Sequence, residues 1–199
     1  KEIMPALHRL QKAFLVYEDQ VDTDWDRSWY AFESEWPEVD LEREPWEAGA
    51  AQVLLRFLYG HVFATLEQMV DWSRWPLRAL KMLVAEMEED NAIVPAVVEG
   101  LGEGWMCAED AGLQGETAPA SVSMLHQSDA LVRSHGSELK RRFGEYEVLQ
   151  YLLIDGAFQG AVLGHWRIGP HDVEDIVVEL PAAERRRRRR EILSAVAGG

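Results

Sequence analysis

Apolar residues in the middle of the chain recur first at helical spacing and then at strand spacing. The pattern predicts a helix over 46–59, a short helix over 66–72 and a second amphipathic helix that begins after Pro76. Two strands, 94–98 and 105–108, flank a glycine-rich turn. This order of elements is typical of a winged helix-turn-helix, a fold whose usual partner is duplex DNA.

Local signals place the ends of these helices. Gly60 stands where a glycine often follows the last residue of a helix. Thr65 and Gln68 have the spacing of a capping box, and Pro76 suits the start of the next helix. The apolar side of the first helix is expected to carry Val53, Leu54, Phe57 and Leu58.

The helix after Pro76 has one apolar side and one basic side. Its apolar residues fall within one arc of the helical wheel, and they are Leu77, Leu80, Leu83, Val84 and Met87. Arg78 and Lys81 lie on the opposite side, where a recognition helix presents side chains to a DNA groove. With Arg74 they form a candidate DNA-binding face, although a solvated helix surface that carries two cations is an equally simple interpretation.

The N-terminal block repeats part of this plan. A helix with Leu7, Leu10 and Phe14 on one side precedes predicted strands at 14–17 and 25–32. We interpret this block as the last helix and wing of a first winged unit, and we expect the missing helices on a segment upstream of Lys1. Residues 33–45 are acidic and contain two prolines, which indicates a connector.

The C-terminal block is rich in strands. After a small, polar loop, three strands and a closing helix are predicted, with a hairpin signal at Asp155-Gly156; they are loop 111–121, strands 148–154, 160–168 and 173–180, and helix 182–196. The first of these strands is almost continuously apolar, as a strand buried on both faces would be. The block therefore predicts a three-stranded antiparallel meander.

Together these patterns predict an α+β fold. Tandem winged helix-turn-helix units are followed by a small antiparallel β-rich C-terminal domain and a terminal helix. The expected domains are 1–45, 46–115, 116–181 and 182–199.

Charge complicates a DNA-binding function. Twenty basic and 35 acidic residues give a formal net charge of −15, and such a body repels phosphate unless its cations are concentrated on one face. The run Arg185–Arg190 is the most basic segment. Six consecutive residues cover every side of a helix, so we expect no packed face there. The run could bind phosphate or could neutralise the acidic body through pairs such as Glu184–Arg188 and Arg187–Glu191.

Composition predicts an ordered protein and indicates its cellular compartment. Hydrophobic residues make up 47% of the chain, which argues against disorder, yet no apolar run approaches the about 20 residues of a membrane span. The sequence has no signal-peptide pattern, and the single cysteine, Cys107, excludes a disulfide within the chain. We therefore expect a cytoplasmic protein with no membrane partner; the oligomeric state is left open.

Other chemistry is weakly indicated. Four histidines in the C-terminal half lack the spacing of metal ligands, and they are His126, His135, His165 and His171. The sequence contains no nucleotide-binding motif and no nucleophile-elbow motif. We therefore expect no metal and no cofactor. Asp129 could pair with His126 or His135 as acid and base, but a helix cap is the more common role. The eight tryptophans could stack on bases, although core packing is the more common role.

Several short segments, in order along the chain, resemble one family. They are 56–60, 64–65, 72–73, 78–80, 128–131, 140–144, 153–156 and 164–167. This set is similar to the winged-helix DNA glycosylases of the AlkZ/YcaQ type and their uncharacterised winged-helix DNA-binding relatives. The resemblance extends over most of the chain.

The resemblance implies tandem winged helices, a β-rich C-terminal domain and a cleft that holds duplex DNA. It implies a monofunctional glycosylase reaction, in which a polar side chain positions water to hydrolyse the N-glycosidic bond of an alkylated or crosslinked base. The family's Gln-x-Gln motif does not occur in this chain, so the catalytic residues stay unassigned. Arg78, Lys81 and Arg167 correspond to positions that would face DNA.

Our leading hypothesis is therefore a winged-helix DNA-binding protein related to DNA-repair glycosylases, with the catalytic motif not found on this chain. The alternative is a non-catalytic winged-helix scaffold for protein–protein or oligomeric interaction, which the acidic charge favours.

Overall fold

A computed structural model describes residues 3–20, 27–40, 45–113, 119–165 and 172–198. The fold combines helices with antiparallel sheets, as the α+β prediction requires. The chain forms two compact units, Lys1–Gly49 and Ala50–Gly199. The division into the domains 1–45, 46–115, 116–181 and 182–199 stays a prediction.

The first unit contains a helix, a two-stranded hairpin and a single helical turn. Helix α1 is Ile3–Lys12, strand β1 is Val16–Gln20, strand β2 is Arg27–Ala31 and helix α2 is Phe32–Glu35. The two strands pair antiparallel. Ring contacts hold the hairpin to α2, because Trp36, directly after α2, packs on Tyr17 of β1 and on Phe32 of α2, with centroids 4.8 Å apart in each pair.

The start of the first strand differs from the sequence prediction. Phe14 lies outside β1, and its φ of 56° turns the chain from α1 into the strand. The predicted connector at 33–45 begins as helix α2. The expected turn at 22–24 lies outside the described residues.

The next six elements follow the predicted order, with one extra strand. They are helices α3 (Trp46–His61), α4 (Leu66–Ser73) and α5 (Leu77–Glu89), and strands β3 (Phe63–Ala64), β4 (Ile93–Val98) and β5 (Gly102–Cys107). The strands form an antiparallel sheet in the order β3-β5-β4. Strand β3 was not predicted, because two residues are too few to show a period. Gly104 permits its pairing, since a Cβ there would lie 2.3 Å from the carbonyl oxygen of Ala64.

Two details of α3 were predicted wrongly. Gly60 does not end the helix, which continues to His61, and Val62 then takes the left-handed conformation with a φ of 64°. Val53 is 42% exposed, whereas Leu54 is fully buried. Leu77, predicted on the apolar side of α5, is 48% exposed at the start of that helix. The other predicted residues lie in the core of this region, and they are Leu54, Phe57, Leu58, Leu80, Leu83, Val84 and Met87.

The capping box at the start of α4 is confirmed. The Gln68 N–H donates to Thr65 Oγ1 at 3.2 Å, and the Thr65 N–H donates to Gln68 Oε1 at 2.8 Å. Both side chains satisfy main-chain N–H groups that the first turn of a helix leaves without a partner.

The C-terminal part is a four-stranded antiparallel sheet with helices on both faces. Its elements are strands β6 (Val122–His126), β7 (Val148–Ile154), β8 (Ala157–His165) and β9 (Asp172–Val178), and helices α6 (Ala130–Ser134), α7 (Gly136–Phe143) and α8 (Ala182–Ala197). The strand order is β6-β7-β8-β9. The predicted three-stranded meander therefore lacked β6, and α6 and α7 were not predicted.

Strand β7 contributes to a core on each face of this sheet. Leu152 and Ile154 pack with Ile192 of α8, while Tyr151 and Leu153 pack with the side chains of α6 and α7. The continuous apolar run therefore reflects burial on both faces, as predicted. The hairpin after β7 is also confirmed, with left-handed φ values of 52° at Asp155 and 81° at Gly156.

Candidate nucleic-acid interface

Helix α5 turns a basic surface away from the core. Leu80, Leu83 and Val84 are buried on its inner side, and Arg78 and Lys81 are exposed on its outer side. Within the described ranges, neither cation forms a salt bridge with a carboxylate. The sequence pattern therefore placed these two side chains correctly, and both are free to meet an external anion.

The start of α5 adds positive potential to this surface. Pro76 occupies the N-cap position and provides no side-chain cap. The first main-chain N–H groups of the helix thus lack a side-chain acceptor, and the helix dipole places its positive end beside Arg78. Such a helix start favours a phosphate or another anion.

The acidic end of α5 lies away from Arg78 and Lys81. At 100° per residue, Glu86 points about 140° away from Lys81 around the axis. Glu88 points within about 20° of Lys81 but lies about 10.5 Å farther along the helix, and Glu89 points about 80° away from Lys81 at about 12 Å. Both separations exceed the Debye length of about 8 Å at physiological salt, so neither carboxylate cancels the basic half of α5.

Arg74 is placed differently from the other two cations. It caps the C-terminus of α4 with a left-handed φ of 59° and is exposed. If Gly136 carried a Cβ atom, that atom would lie 3.6 Å from Arg74 Nη2 and 3.7 Å from Asp71 Oδ2. Arg74 therefore extends towards the start of α7, while Arg167 lies outside the described residues.

Helix α4 is fixed to α6 and α7 by a polar joint that the sequence patterns did not indicate. Asp71, which is 5% exposed, accepts hydrogen bonds from the main-chain N–H of Ser137 and from its hydroxyl group, the latter at 2.7 Å. Gln68 Nε2 donates to His135 Nε2 at 3.0 Å, and the other ring nitrogen of His135 donates to the Leu131 carbonyl at 2.9 Å. The joint sets the position of α4 against α6 and α7.

A cleft of about 210 Å³ runs along this joint, between α4, α7 and the β4–β5 turn. It holds carboxylates and an amide, but each has a protein partner. Glu67 pairs with Arg141 at 2.9 Å, Glu138 pairs with Arg142 at 2.5 Å, and Gln68 caps α4 and bonds to His135. The cleft is also smaller than the about 300 Å³ at which ligand pockets begin. These contacts join α4 to α6 and α7.

His61 lies on the inner side of α3, near this joint. Its ring packs on Phe57 with centroids 4.1 Å apart, and its Nδ1–H donates to the Phe57 carbonyl at 3.1 Å. Burial lowers the pKa of His61, which favours the neutral ring.

Two further histidines, His126 and His165, have structural partners. His126 Nδ1 accepts from the Ser128 N–H at 3.1 Å, and His165 lies between Glu147 at 2.8 Å and Glu174 at 3.2 Å. In the portion of the chain that the structure describes, no group of three or more histidine, cysteine or acidic residues could hold a metal ion. His171 lies outside those residues.

Asp129 caps helix α6. Its carboxylate accepts from the Leu131 N–H at 2.8 Å, so the structural interpretation of this residue is confirmed. The lone cysteine, Cys107, is buried as a free thiol, and burial raises its pKa.

The arginine run contains one packed residue, contrary to expectation. Arg188 is 4% exposed and bonds to Asp155, to Glu191 at 2.9 Å and to the Ser121 carbonyl at 3.1 Å. Arg187 pairs with Glu184 at 3.2 Å instead of with Glu191. The expectation of a wholly solvated turn was wrong for Arg188, because a carboxylate from the β7–β8 turn reaches it.

The tryptophans have mixed roles. Trp72 stacks on Phe57 with centroids 4.3 Å apart and, with Trp75 and Trp105, packs against the core. Trp46 is 47% exposed, so core packing does not account for all of them. Trp25 and Trp166 lie outside the described residues.

Comparison with known families decides the relationship of this chain. The profile of the family described as DNA glycosylase AlkZ-like matches residues 4–197. The chain belongs to the AlkZ-like DNA glycosylase family. The resemblance found in the short sequence segments is therefore confirmed, and the chain is a DNA-repair glycosylase-like protein.

A solved structure supports the fold. The DNA glycosylase AlkZ of Streptomyces sahachiroi is similar to this chain with a TM-score of 0.56 and 13% identity, over 92% of this chain and 52% of that enzyme. The chain thus spans about half the length of AlkZ, and at this identity the likeness shows the fold alone. No curated protein matches the sequence. No helix in the described ranges is long and apolar enough to cross a membrane.

Proposed function

We propose that this chain binds duplex DNA through helix α5 and serves DNA repair as a winged-helix relative of the glycosylases that remove alkylated or crosslinked bases. The observation that carries the proposal is the pair Arg78 and Lys81, exposed and without carboxylate partners among the described residues, beside the open N-terminus of α5. Family membership supplies the nucleic-acid context.

The winged-helix interpretation rests on topology. The order α3-β3-α4-α5-β4-β5, with the sheet order β3-β5-β4, matches a helix-turn-helix followed by a wing. In this interpretation α5 is the recognition helix. The helix and hairpin α1-β1-β2 have the same order as α5-β4-β5, which supports a tandem arrangement.

The wing is less suited to DNA than α5 is. Glu99 and Glu103 flank its turn, and they would repel phosphate. Gly100 and Leu101, at the tip, line the cleft beside α4 and α7. We therefore assign the wing to packing and the DNA contacts to α5, with Arg167 as a further proposed contact.

We propose no hydrolytic step on this chain. The Gln-x-Gln motif does not occur in it, and Gln68 is bonded to Thr65 and His135. A monofunctional glycosylase reaction would need an amide or a carboxylate free to position water. We expect the chain to release no modified base from an alkylated duplex, as measured by chromatography of the products.

Fluorescence anisotropy with a labelled duplex at low salt tests DNA binding. Arg78→Ala with Lys81→Ala should weaken binding and reduce the slope of log K against log salt by about 1.8, because two phosphate contacts are lost. Arg56→Ala with Lys140→Ala removes two exposed cations from other helices and is the matched control. A wild-type chain that binds neither damaged nor undamaged duplex at low salt would overturn the proposal.

The alternative function is a scaffold for protein–protein or oligomeric interaction. The acidic wing and the net charge of −15 favour it. A scaffold predicts concentration-dependent assembly in analytical ultracentrifugation together with no DNA binding at low salt. The cytoplasmic setting inferred from the single cysteine stays a prediction.

A further inference from the structure

The arginine run of α8 lies beside an edge strand and forms one wall of a groove. Arg188 faces inward and, through Asp155, fixes the rotation of the helix. Arg185 and Arg189, four residues apart, therefore share another side of α8. Both are exposed, and neither has a carboxylate partner within the described part of the chain.

Strand β9 forms the opposite wall. It ends the sheet and pairs only with β8 among the described strands. The Glu179 N–H donates to the Gln159 carbonyl at 2.8 Å. Because main-chain groups alternate in direction along an antiparallel strand, those of Val177 point to β8 and those of Ile176 and Val178 point to the open edge.

One of these outward groups already has a substitute partner. The Ile176 N–H donates to the carboxylate of Asp175 at 2.8 Å. An adjacent strand would offer a main-chain carbonyl in the same place. The Ile176 N–H therefore donates to an oxygen at the open edge, as strand addition requires.

The groove has the size and lining of a peptide site. Its volume is about 580 Å³, within the usual range for ligand pockets. Ile176, Val178 and Ile192 form an apolar floor, and Leu193 continues it. The basic wall consists of Arg185, Arg186 and Arg189. From Arg185 to Leu193 the helix rises about 12 Å, which matches about four residues of an extended strand.

We propose that this groove binds an extended acidic peptide segment, which adds to β9 as a further strand and pairs its carboxylates with Arg185, Arg186 and Arg189. Apolar side chains at alternate positions of the peptide would contact the floor. A phosphate backbone fits less well, because it has no N–H groups to donate to the outward main-chain carbonyls of a strand edge. This proposal does not depend on DNA binding by α5.

The test uses the full chain and a fluorescein-labelled peptide of alternating glutamate and valine, EVEVEVE. We expect anisotropy to report saturable binding and hydrogen exchange to slow at the Ile176 and Val178 amides. Arg185→Gln with Arg189→Gln should weaken binding by about tenfold or more, because charge-assisted hydrogen bonds are lost. Arg187→Gln with Arg190→Gln removes the same charge from the same helix outside the groove and should change binding by less than about threefold.

Three results would overturn the proposal. The first is no binding of the peptide at about 1 mM. The second is an equal loss of peptide affinity in the two double arginine variants, or equal affinity of the protein for EVEVEVE and for EVEPEVE, whose proline removes a central main-chain N–H donor. The third is a short single-stranded oligonucleotide that binds in the groove while the acidic peptide does not.

Discussion

The carboxylate of Asp71 on α4 binds the first turn of α7 by accepting from both the N–H and the hydroxyl of Ser137. The two residues lie 66 positions apart in the sequence. This contact joins α4 to α7, and the carboxylate lies at a helix start, where the dipole favours a negative charge.

Asp71→Ala should lower the free energy of unfolding by about 1–3 kcal/mol, because the replacement leaves two half-buried donors of Ser137 without an acceptor. Asp71→Asn keeps one carbonyl oxygen and should cost about half as much. Urea denaturation, followed by tryptophan fluorescence, measures both values. Glu109→Ala, at an exposed site, is the control and should change stability by less than about 0.5 kcal/mol. An Asp71→Ala protein as stable as this control would show that the joint contributes nothing.

Local signals in the sequence were sufficient for features that depend on a few neighbouring residues. The capping box of Thr65 and Gln68 and the hairpin at Asp155 were predicted because each involves residues within one turn. The exposed basic side of α5 was predicted from the helical spacing of its apolar residues, since Arg78 and Lys81 lie opposite the buried residues.

Features that depend on distant partners were not predictable in this way. Strand β6 forms because Val122–His126 pairs with β7, and nothing within those five residues specifies that pairing. The burial of Arg188 depends on Asp155, 33 residues away, and the role of Asp71 depends on Ser137. The candidate interface was therefore predicted in part, whereas the joint behind it was missed.

Gly60→Ala should stabilise the protein by about 0.5–1 kcal/mol. Gly60 lies inside α3, and a Cβ there would meet nothing within 4 Å. Alanine has a higher helix propensity than glycine and would fit at this position without a steric clash. Thermal and urea unfolding measure the change.

Gly100→Ala provides the contrast for this substitution. A Cβ at Gly100 also meets nothing within 4 Å, but its φ of +82° strains any other residue, so we expect a loss of about 1 kcal/mol or more. If Gly60→Ala were destabilising by a similar amount, Gly60 would act as the helix cap that the sequence first suggested.

Asp155 should make stability depend on pH in the acid range. The Ser121 N–H and then Arg188 hold the pKa of its carboxyl below the ordinary value. The folded state therefore gains from the ionised form above the unfolded pKa of about 4, and this gain is lost as the pH falls through the folded pKa. Asn is suited to the left-handed conformation at this position, so Asp155→Asn removes the charge with little backbone strain.

We expect Asp155→Asn to melt below the wild type at pH 7, and the difference in Tm to close as the pH falls below about 4. Differential scanning fluorimetry from pH 7 to pH 3 measures the difference. Glu109→Gln removes one charge from an exposed site and should show a small difference. A difference in Tm for Asp155→Asn that stays constant across this range would contradict the role of the charge.

Glu89 tests whether the acidic end of α5 limits DNA binding. It lies about 12 Å along the helix from Lys81, where Coulomb's law in water gives about 0.3 kcal/mol of repulsion on a bound phosphate. Glu89→Gln should therefore tighten binding of a duplex by about 1.5-fold at about 10 mM salt, where a Debye length of about 30 Å leaves about two thirds of this repulsion, and by almost nothing at about 150 mM. Glu109→Gln is the matched control outside α5. Tightening that persists at the higher salt would mean that Glu89 contacts the DNA directly, and α5 would then lie deeper in the groove than its basic half requires.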